Sequence, residues 1–452
     1  MFDHEGNQLT AAFVGDAMIT RKWSICTEPR FRSVIDSIRD ATVSFANLEV
    51  LLHDYEGYPS ALTKGTYMRA PPTIADELQW AGFDIFSAAT NHTGDFSHGG
   101  MERTMEVLEQ RDIAYAGLGR NLAEARAPAY IDTPAGRVAL ISACSTIVPG
   151  SEAGPQRHDF HGRPGLSPLR LNTQFVLSEE SHLEALREMS ESLGLSALTA
   201  KKRKIESEDS TETVDAFDLF NPGGGYTGDF LKFALGDEPG VIQTFDEADK
   251  AAILKQIRAA RRQADWVFMS HHMHEGKNGY FGGSSVPRAL EEFAKETVDA
   301  GADAFLGHGS HVLSGIEVYA GAPIFYSLGN FVVQNETIPY APAEFYSQYG
   351  LDHQHLPADL YDERIIGDDG KPKGGEEYWE SIVARCSYED GEINGIDIIP
   401  LDLGRNLPRP IRGRPVLATG EKRTKIFEDI KRLSNPYGTA ITVKDGVGRV
   451  NI

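Results

Sequence analysis

The sequence predicts an α/β protein in which helices pack on a largely parallel sheet. Short apolar runs alternate with stretches of helical apolar spacing, and several of the runs end in polar side chains able to bind metal. The composition, 41% hydrophobic and 24% charged, is that of an ordinary globular chain. At 452 residues the chain is too long for one simple core; it fits one large α/β domain with insertions, or two domains.

Residues 11–16 read as a first buried strand ending at Gly15-Asp16, and 42–49 as a second ending at Glu49. Residues 83–92 form a third running into Asn91-His92, and 137–144 a fourth. Helices are expected at 31–39, 73–81 and 99–111, the last on the spacing of Met101, Met105 and Leu108. Residues 195–215 break the alternation with a basic block, an acidic block and little apolar content, so 195–230 is expected to be an exposed insertion. Its KKRK run (201–204) is read as a solvated helix end rather than a nuclear signal, and 221–226 as a turn-rich loop. The alternation resumes with a helix at 246–262, a strand at 266–272 ending in histidines, a helix at 287–300 and a strand at 304–311, again ending in histidines. Residues 315–331 look like a hairpin, 378–400 like strands, and the chain closes with a helix at about 420–434 and a strand. The aromatic-rich stretch 335–375 has no clear period and is expected to be a lid over the substrate site or an excursion over the sheet edge.

A net charge of -22 repels phosphate backbones and anionic bilayers, so nucleic acid is not an expected partner. The first residues show no basic then apolar signal pattern, and no apolar run approaches the roughly 20 residues of a membrane span. A cytoplasmic protein with no membrane anchor is expected; whether it forms a homo-oligomer is left open. Three cysteines without a CxxC pair argue against a disulfide framework, and Cys144 reads as an inert core thiol.

The chemistry lies at the strand ends. Asp16, Glu49, Asn91-His92, His271/His272/His274 and His308/His311 each follow a buried run. In a parallel sheet the carboxyl ends of strands lie along one edge, where ligands bind, so these residues are expected to converge. Any one of them alone is a weak signal, but the recurrence is not. Carboxylate, amide and imidazole together suit one or two divalent ions of zinc, manganese or iron, a pair lying roughly 3.5–4 Å apart.

The segments 13–16, 46–49, 69–72, 81–84, 89–100, 115–121, 301–311 and 315–331 resemble the CapA family of capsule-biosynthesis proteins, whose domain is similar to a calcineurin-type metallophosphoesterase. The resemblance implies layered sheets flanked by helices, with insertions, in a single domain over 1–452. It implies that Asp16 is the acid of the first metal motif, whose usual second ligand is replaced here by Met18. Glu49 would take the place of the bridging acid, and Asn91, His272, His308 and His311 would bind metal. His92 would be the catalytic acid, oriented by Asp95, with Arg69 and His274 as substrate contacts. The implied activity is metal-assisted hydrolysis of an amide in a carboxylate-bearing compound, small or oligomeric and γ-glutamyl-like. The alternatives are a phosphoesterase and a non-catalytic component of poly-γ-glutamate synthesis.

Overall fold

A computed structural model describes residues 8–63, 65–206, 213–223, 229–277, 282–367 and 370–452, with the side chain of residue 206 excepted. Its centre is two sheets, not one. The first has ten strands and runs in the order Ile441–Lys444, Val447–Val450, Glu392–Asp402, Glu380–Glu389, Gln8–Met18, Val43–Asn47, Ile85–Ser87, Ala114–Ala116, with Asn330–Val333 also on Gln8–Met18 and Val416–Leu417 on Glu392–Asp402. The second has six, in the order Ile316–Tyr319, Ala322–Phe325, Ala304–His308, Trp266–His272, Gly136–Cys144, Ala129–Thr133. Strand–helix alternation reports that strands are parallel and covered, but not which of them share a sheet. Alternation alone argues for one parallel sheet; the layered sheets flanked by helices that the resemblance implies are the ones present.

Period-two alternation assigns the layers. Leu9, Ala11 and Phe13 of the first strand face a core shared with Leu140, Phe268 and Leu306 of the second sheet. Their neighbours Ala12 and Val14 face a second core with Phe31, Val34, Ile35 and Ile38 of the helix Pro29–Arg39. On the far side, Ile141, Val267, Met269 and Phe305 meet Ile253 and Ile257 of Glu247–Ala260 and Phe293 of Arg288–Asp299. The order of layers is helix, sheet, sheet, helix. Strands buried on both faces explain why the sequence shows continuous apolar runs.

The hairpin expected over 315–331 is shorter. Ile316–Tyr319 and Ala322–Phe325 pair antiparallel, but Asn330–Val333 crosses to the first sheet and lies parallel to Gln8–Met18. Residues 171–245 build a separate four-stranded sheet in the order Ala216–Asn221, Asp229–Leu235, Leu171–Leu177, Gly240–Phe245, with helices Glu180–Ser192 and Leu195–Glu206. The insertion expected over 195–230 falls within this unit, with 207–212 and 224–228 outside the described residues; the turn-rich loop expected at 221–226 lies partly there. In the basic run, Arg203 bonds Asp218 at 2.7 Å. The 335–375 stretch contributes short helices at Ala343–Ser347 and Pro357–Ile365, and its Ile338, Phe345, Leu360 and Tyr361 are buried in the core that covers the first sheet. Among the described residues, no helix is long and apolar enough to cross a membrane.

Phe13 is fully buried between the sheets, edge-on to Phe268 at 5.0 Å between ring centroids and near Phe45 and Phe325. Phe13→Ala is expected to cost about 3–5 kcal/mol, read as a lower denaturant midpoint. A loss below about 1 kcal/mol would mean that the inter-sheet core is not packed around this ring.

Candidate metal centre

The carboxyl ends of both sheets deliver the site. Asp16 lies in a stretch of Gln8–Met18 where the ladder shifts register on both flanks, and such irregularity re-aims a side chain. Glu49 follows Val43–Asn47, and Asn91 with His92 follows Ile85–Ser87 in the short turn Asn91–Gly94. His272 ends Trp266–His272 and His308 ends Ala304–His308 in the opposing sheet, where the two residues are direct cross-strand partners.

These groups form three overlapping sets of carboxylate and imidazole atoms, each within 4.8 Å: Asp16/His272/His308, Glu49/His272/His274 and Asp16/Glu49/His311. His272 Nδ1 lies 3.0 Å from His308 Nδ1 and 3.2 Å from Asn47 Nδ2. Its Nε2 lies 2.9 Å from Asn91 Oδ1 and 3.1 Å from His274 Nε2. His274, expected as a substrate contact, thus stands in the cluster itself. His271 does not: strand alternation turns it away, among Phe245, Phe293 and Phe305, with Nε2 2.6 Å from Ser145 Oγ. Met18, at the place of the family's second first-motif ligand, is buried in the apolar core.

Asp16 and Glu49 are both fully buried but differently supported. Asp16 Oδ1 accepts from Asn47 Nδ2 at 2.8 Å, and Oδ2 accepts from the Gly309 amide at 3.1 Å. Burial pushes its carboxyl up, yet the hydrogen bond and charge of His311, the charge of His308 and the Asn47 amide outweigh that and hold it below the usual range. Glu49 has no hydrogen bond to either side-chain oxygen. Its Oε1 instead lies 3.8 Å from His272 Nε2, 3.9 Å from His92 Nε2 and 4.0 Å from both His274 Nε2 and His311 Nε2. Burial, reinforced by the charges of Asp16 and Asp95, pushes its carboxyl well above the usual range. Burial also holds His272 and His274 well below the usual imidazole range and His308 down to about 4, so these rings offer lone pairs at neutral pH. Buried polar atoms are rarely left without partners. A carboxylate with two bare oxygens amid imidazole nitrogens is a donor set that fits a divalent cation.

His92 stands at the rim. Its Nδ1 donates to Asp95 Oδ2 at 2.6 Å, and Asp95 is fixed by Thr63 Oγ1 at 3.1 Å and the Met68 amide at 2.6 Å. The pair leaves Nε2 facing Glu49. Arg69 is engaged elsewhere: it donates to the His53 carbonyl at 2.6 Å, pairs with Asp54 and lies over the Tyr55 ring. A cavity of about 570 Å³ opens beside His311 and is also lined by Ser310, Leu313, Tyr378, Lys425 and Arg432. Sequence reasoning assigned no role to Asn47, Ser270 or Asn330, which bond Asp16, His308 and His311 respectively. Asn47 and Asn330 lie in segments that carry the resemblance, 46–49 and 315–331, but nothing in their spacing marks them as partners of the cluster.

The family model described as bacterial capsule synthesis protein PGA_cap matches residues 10–335. The protein y4sH of Sinorhizobium fredii is 32% identical over 98% of this chain and 93% of its own. The capsule biosynthesis protein CapA of Bacillus anthracis is 25% identical over 73% of this chain and 60% of its own. A probable polyglutamine synthesis accessory protein of Mycobacterium tuberculosis is 36% identical over 23% of this chain and 27% of its own. By the extent of the family match and the identity to the Sinorhizobium protein, this chain belongs to the PGA_cap family of bacterial capsule synthesis proteins, in the calcineurin-like superfamily.

Proposed function

We propose that the protein is a metal-dependent hydrolase that cleaves an amide in a carboxylate-bearing, γ-glutamyl-like compound. The observation that carries the metal is Glu49, sealed from water with both oxygens unbonded among the nitrogens of four histidines. Asp16, Glu49, Asn91, His272, His274, His308 and His311 would hold one or two ions of zinc, manganese or iron. A bound divalent ion supplies a water acidic enough to ionise near neutral pH and polarises the bond under attack.

The chain's own residues supply the rest. His92 is the proton donor. With Nδ1–H given to Asp95, the ring is held so that Nε2, and a proton carried there, faces the cluster. As water oxygen bonds to the carbonyl carbon and the C–N bond breaks, that proton passes to the departing nitrogen. Substrate would enter by the cavity beside His311. Because Arg69 is committed to Asp54 and Tyr55, the cationic groups left for a substrate carboxylate are Lys425 and Arg432 on the cavity wall. Lys425 pairs with Asp429 and with Glu380, both at 2.7 Å, and Arg432 with Asp429 at 2.8 Å, so a bound carboxylate would compete with Asp429 for both cations while Glu380 keeps its hold on Lys425. The amide reading also draws on the Bacillus relatives, one of them named a PGA biosynthesis protein.

A second reading, a non-catalytic component of poly-γ-glutamate synthesis, is favoured by the names of relatives called biosynthesis or accessory proteins.

With a divalent metal present, the protein is expected to release amine from γ-glutamyl amides, and His92→Gln to lower kcat by about 10²–10⁴-fold at unchanged metal content. Turnover of an aryl phosphate alone would replace amide by phosphoester. No turnover of either, together with a His92→Gln variant that fully supports polymer synthesis in cells, would favour the non-catalytic role.

Metal affinity should depend on pH through Glu49. Its raised pKa means that the metal-free fold holds a proton there which a cation must expel, whereas His272, His274 and His308 are already neutral. Affinity is expected to rise with pH up to the Glu49 pKa and then level off, with release of about one proton below it. Calorimetric titrations in two buffers of different ionisation heat measure this. Affinity independent of pH from about 5 to 8 would contradict it.

A further inference from the structure

The turn Ser327–Asn330 lies within the stretch that the family model matches, yet it contributes none of the cluster's carboxylates or imidazoles. It touches two residues that do. Asn330 opens a strand parallel to Gln8–Met18, in register with Asp16, and the Asp16 amide donates to the Gly329 carbonyl at 3.0 Å. The approach is so close that a Cβ at Gly15 would lie 1.8 Å from that carbonyl oxygen. From this position the Asn330 side chain reaches across to His311. Its Nδ2 donates to the backbone carbonyls of His311, at 3.0 Å, and Tyr378, at 2.9 Å. Its Oδ1 lies 2.9 Å from His311 Nδ1.

The two carbonyls decide the orientation of the amide. Turned over, Asn330 would set its oxygen against two other oxygens with no hydrogen between them, so the end facing His311 is the acceptor. An acceptor there requires a proton on His311 Nδ1. Asp16 Oδ2, 3.3 Å from the same nitrogen, requires the same. A neutral ring then carries its lone pair on Nε2, the atom 4.0 Å from Glu49 Oε1. The backbone of His311 sits at φ 63°, a left-handed conformation that a non-glycine residue keeps only when its surroundings hold it. The bond from Asn330 to the His311 carbonyl is such a hold.

We infer that Asn330 is a positioning residue of the metal centre: it fixes His311 as the Nδ1–H tautomer and aims the Nε2 lone pair at a divalent cation beside Asp16 and Glu49. The inference rests on the metal-centre reading, but its tautomer half is testable without metal.

Two measurements on the full chain test it. In long-range ¹H–¹⁵N spectra of the metal-free protein, with the His311 signals assigned by comparison with His311→Gln, Nδ1 should be protonated and Nε2 bare in the neutral ring. The opposite tautomer would overturn the inference whether or not the protein binds metal. In Mn²⁺ titrations, Asn330→Leu should weaken binding by about 10–100-fold. Asn330→Asp, which keeps an acceptor for Nδ1–H, should recover part of that, with far-UV circular dichroism unchanged in both. Equal affinity in wild type and a folded Asn330→Leu would overturn the positioning role. A wild type that binds no Mn²⁺ would instead defeat the metal-centre reading and with it the aim at a cation, leaving the tautomer to the spectra.

Discussion

Taking an ionised carboxylate out of water costs several kcal/mol unless a counter-charge or hydrogen bonds replace the lost solvent. Glu49 is fully buried and has neither hydrogen bond, while Asp16 beside it has both an amide side chain and a backbone N–H. Burial therefore pushes the Glu49 carboxyl well above the usual range, and a cation at the proposed site would remove the conflict. The histidines solve the complementary problem. Burial holds His272, His274 and His308 below the usual imidazole range, so these three present lone pairs at no cost in protons. This pairing of an unsupported carboxyl with neutral imidazoles is what supports the proposed cation.

The two sheets make that arrangement possible. A single sheet edge would line the ligands in a row, whereas here Asp16, Glu49 and Asn91 arrive from one sheet and His272 and His308 from the other. These side chains therefore close on a point rather than along a line. The fit between the sheets depends on the apolar interlayer around Phe13 and Phe268, and at the site itself on backbone approaches that only glycine permits, as at Gly15 against Gly329. Packing far from the cluster and geometry within it are consequences of the same interface. His92 stands outside it on its own turn, tethered to Asp95, which suits a group that meets the substrate rather than the ion.

Much of the centre was legible in the sequence because buried strands are apolar throughout, and a polar residue where such a run ends stands out. That rule found Asp16, Glu49, Asn91, His92, His272, His308 and His311, and the structure brings all of them within one small volume. It placed His271 and His272 together, since only the alternation of an observed strand separates a residue facing the site from one facing Phe293. The division into two sheets was hidden from periodicity, because helices cover one face of each sheet and the local pattern is the same in both; only the family resemblance implied layered sheets. Arg69 looked free for substrate because its partners, Asp54 and Tyr55, are set by a loop conformation that no periodicity records. Asn330 was invisible as a participant for a similar reason: its role depends on two backbone carbonyls brought in from residues 311 and 378.

The most direct test is elemental analysis of the purified wild-type protein beside Glu49→Gln, an exchange that keeps the shape of the side chain and removes its charge. The wild type should carry about one to two equivalents of zinc, manganese or iron, and the variant should lose most of it while remaining folded. A wild type that is metal-free and takes up no added divalent ion, or a Glu49→Gln variant that retains full occupancy, would contradict a metal centre built around this carboxylate.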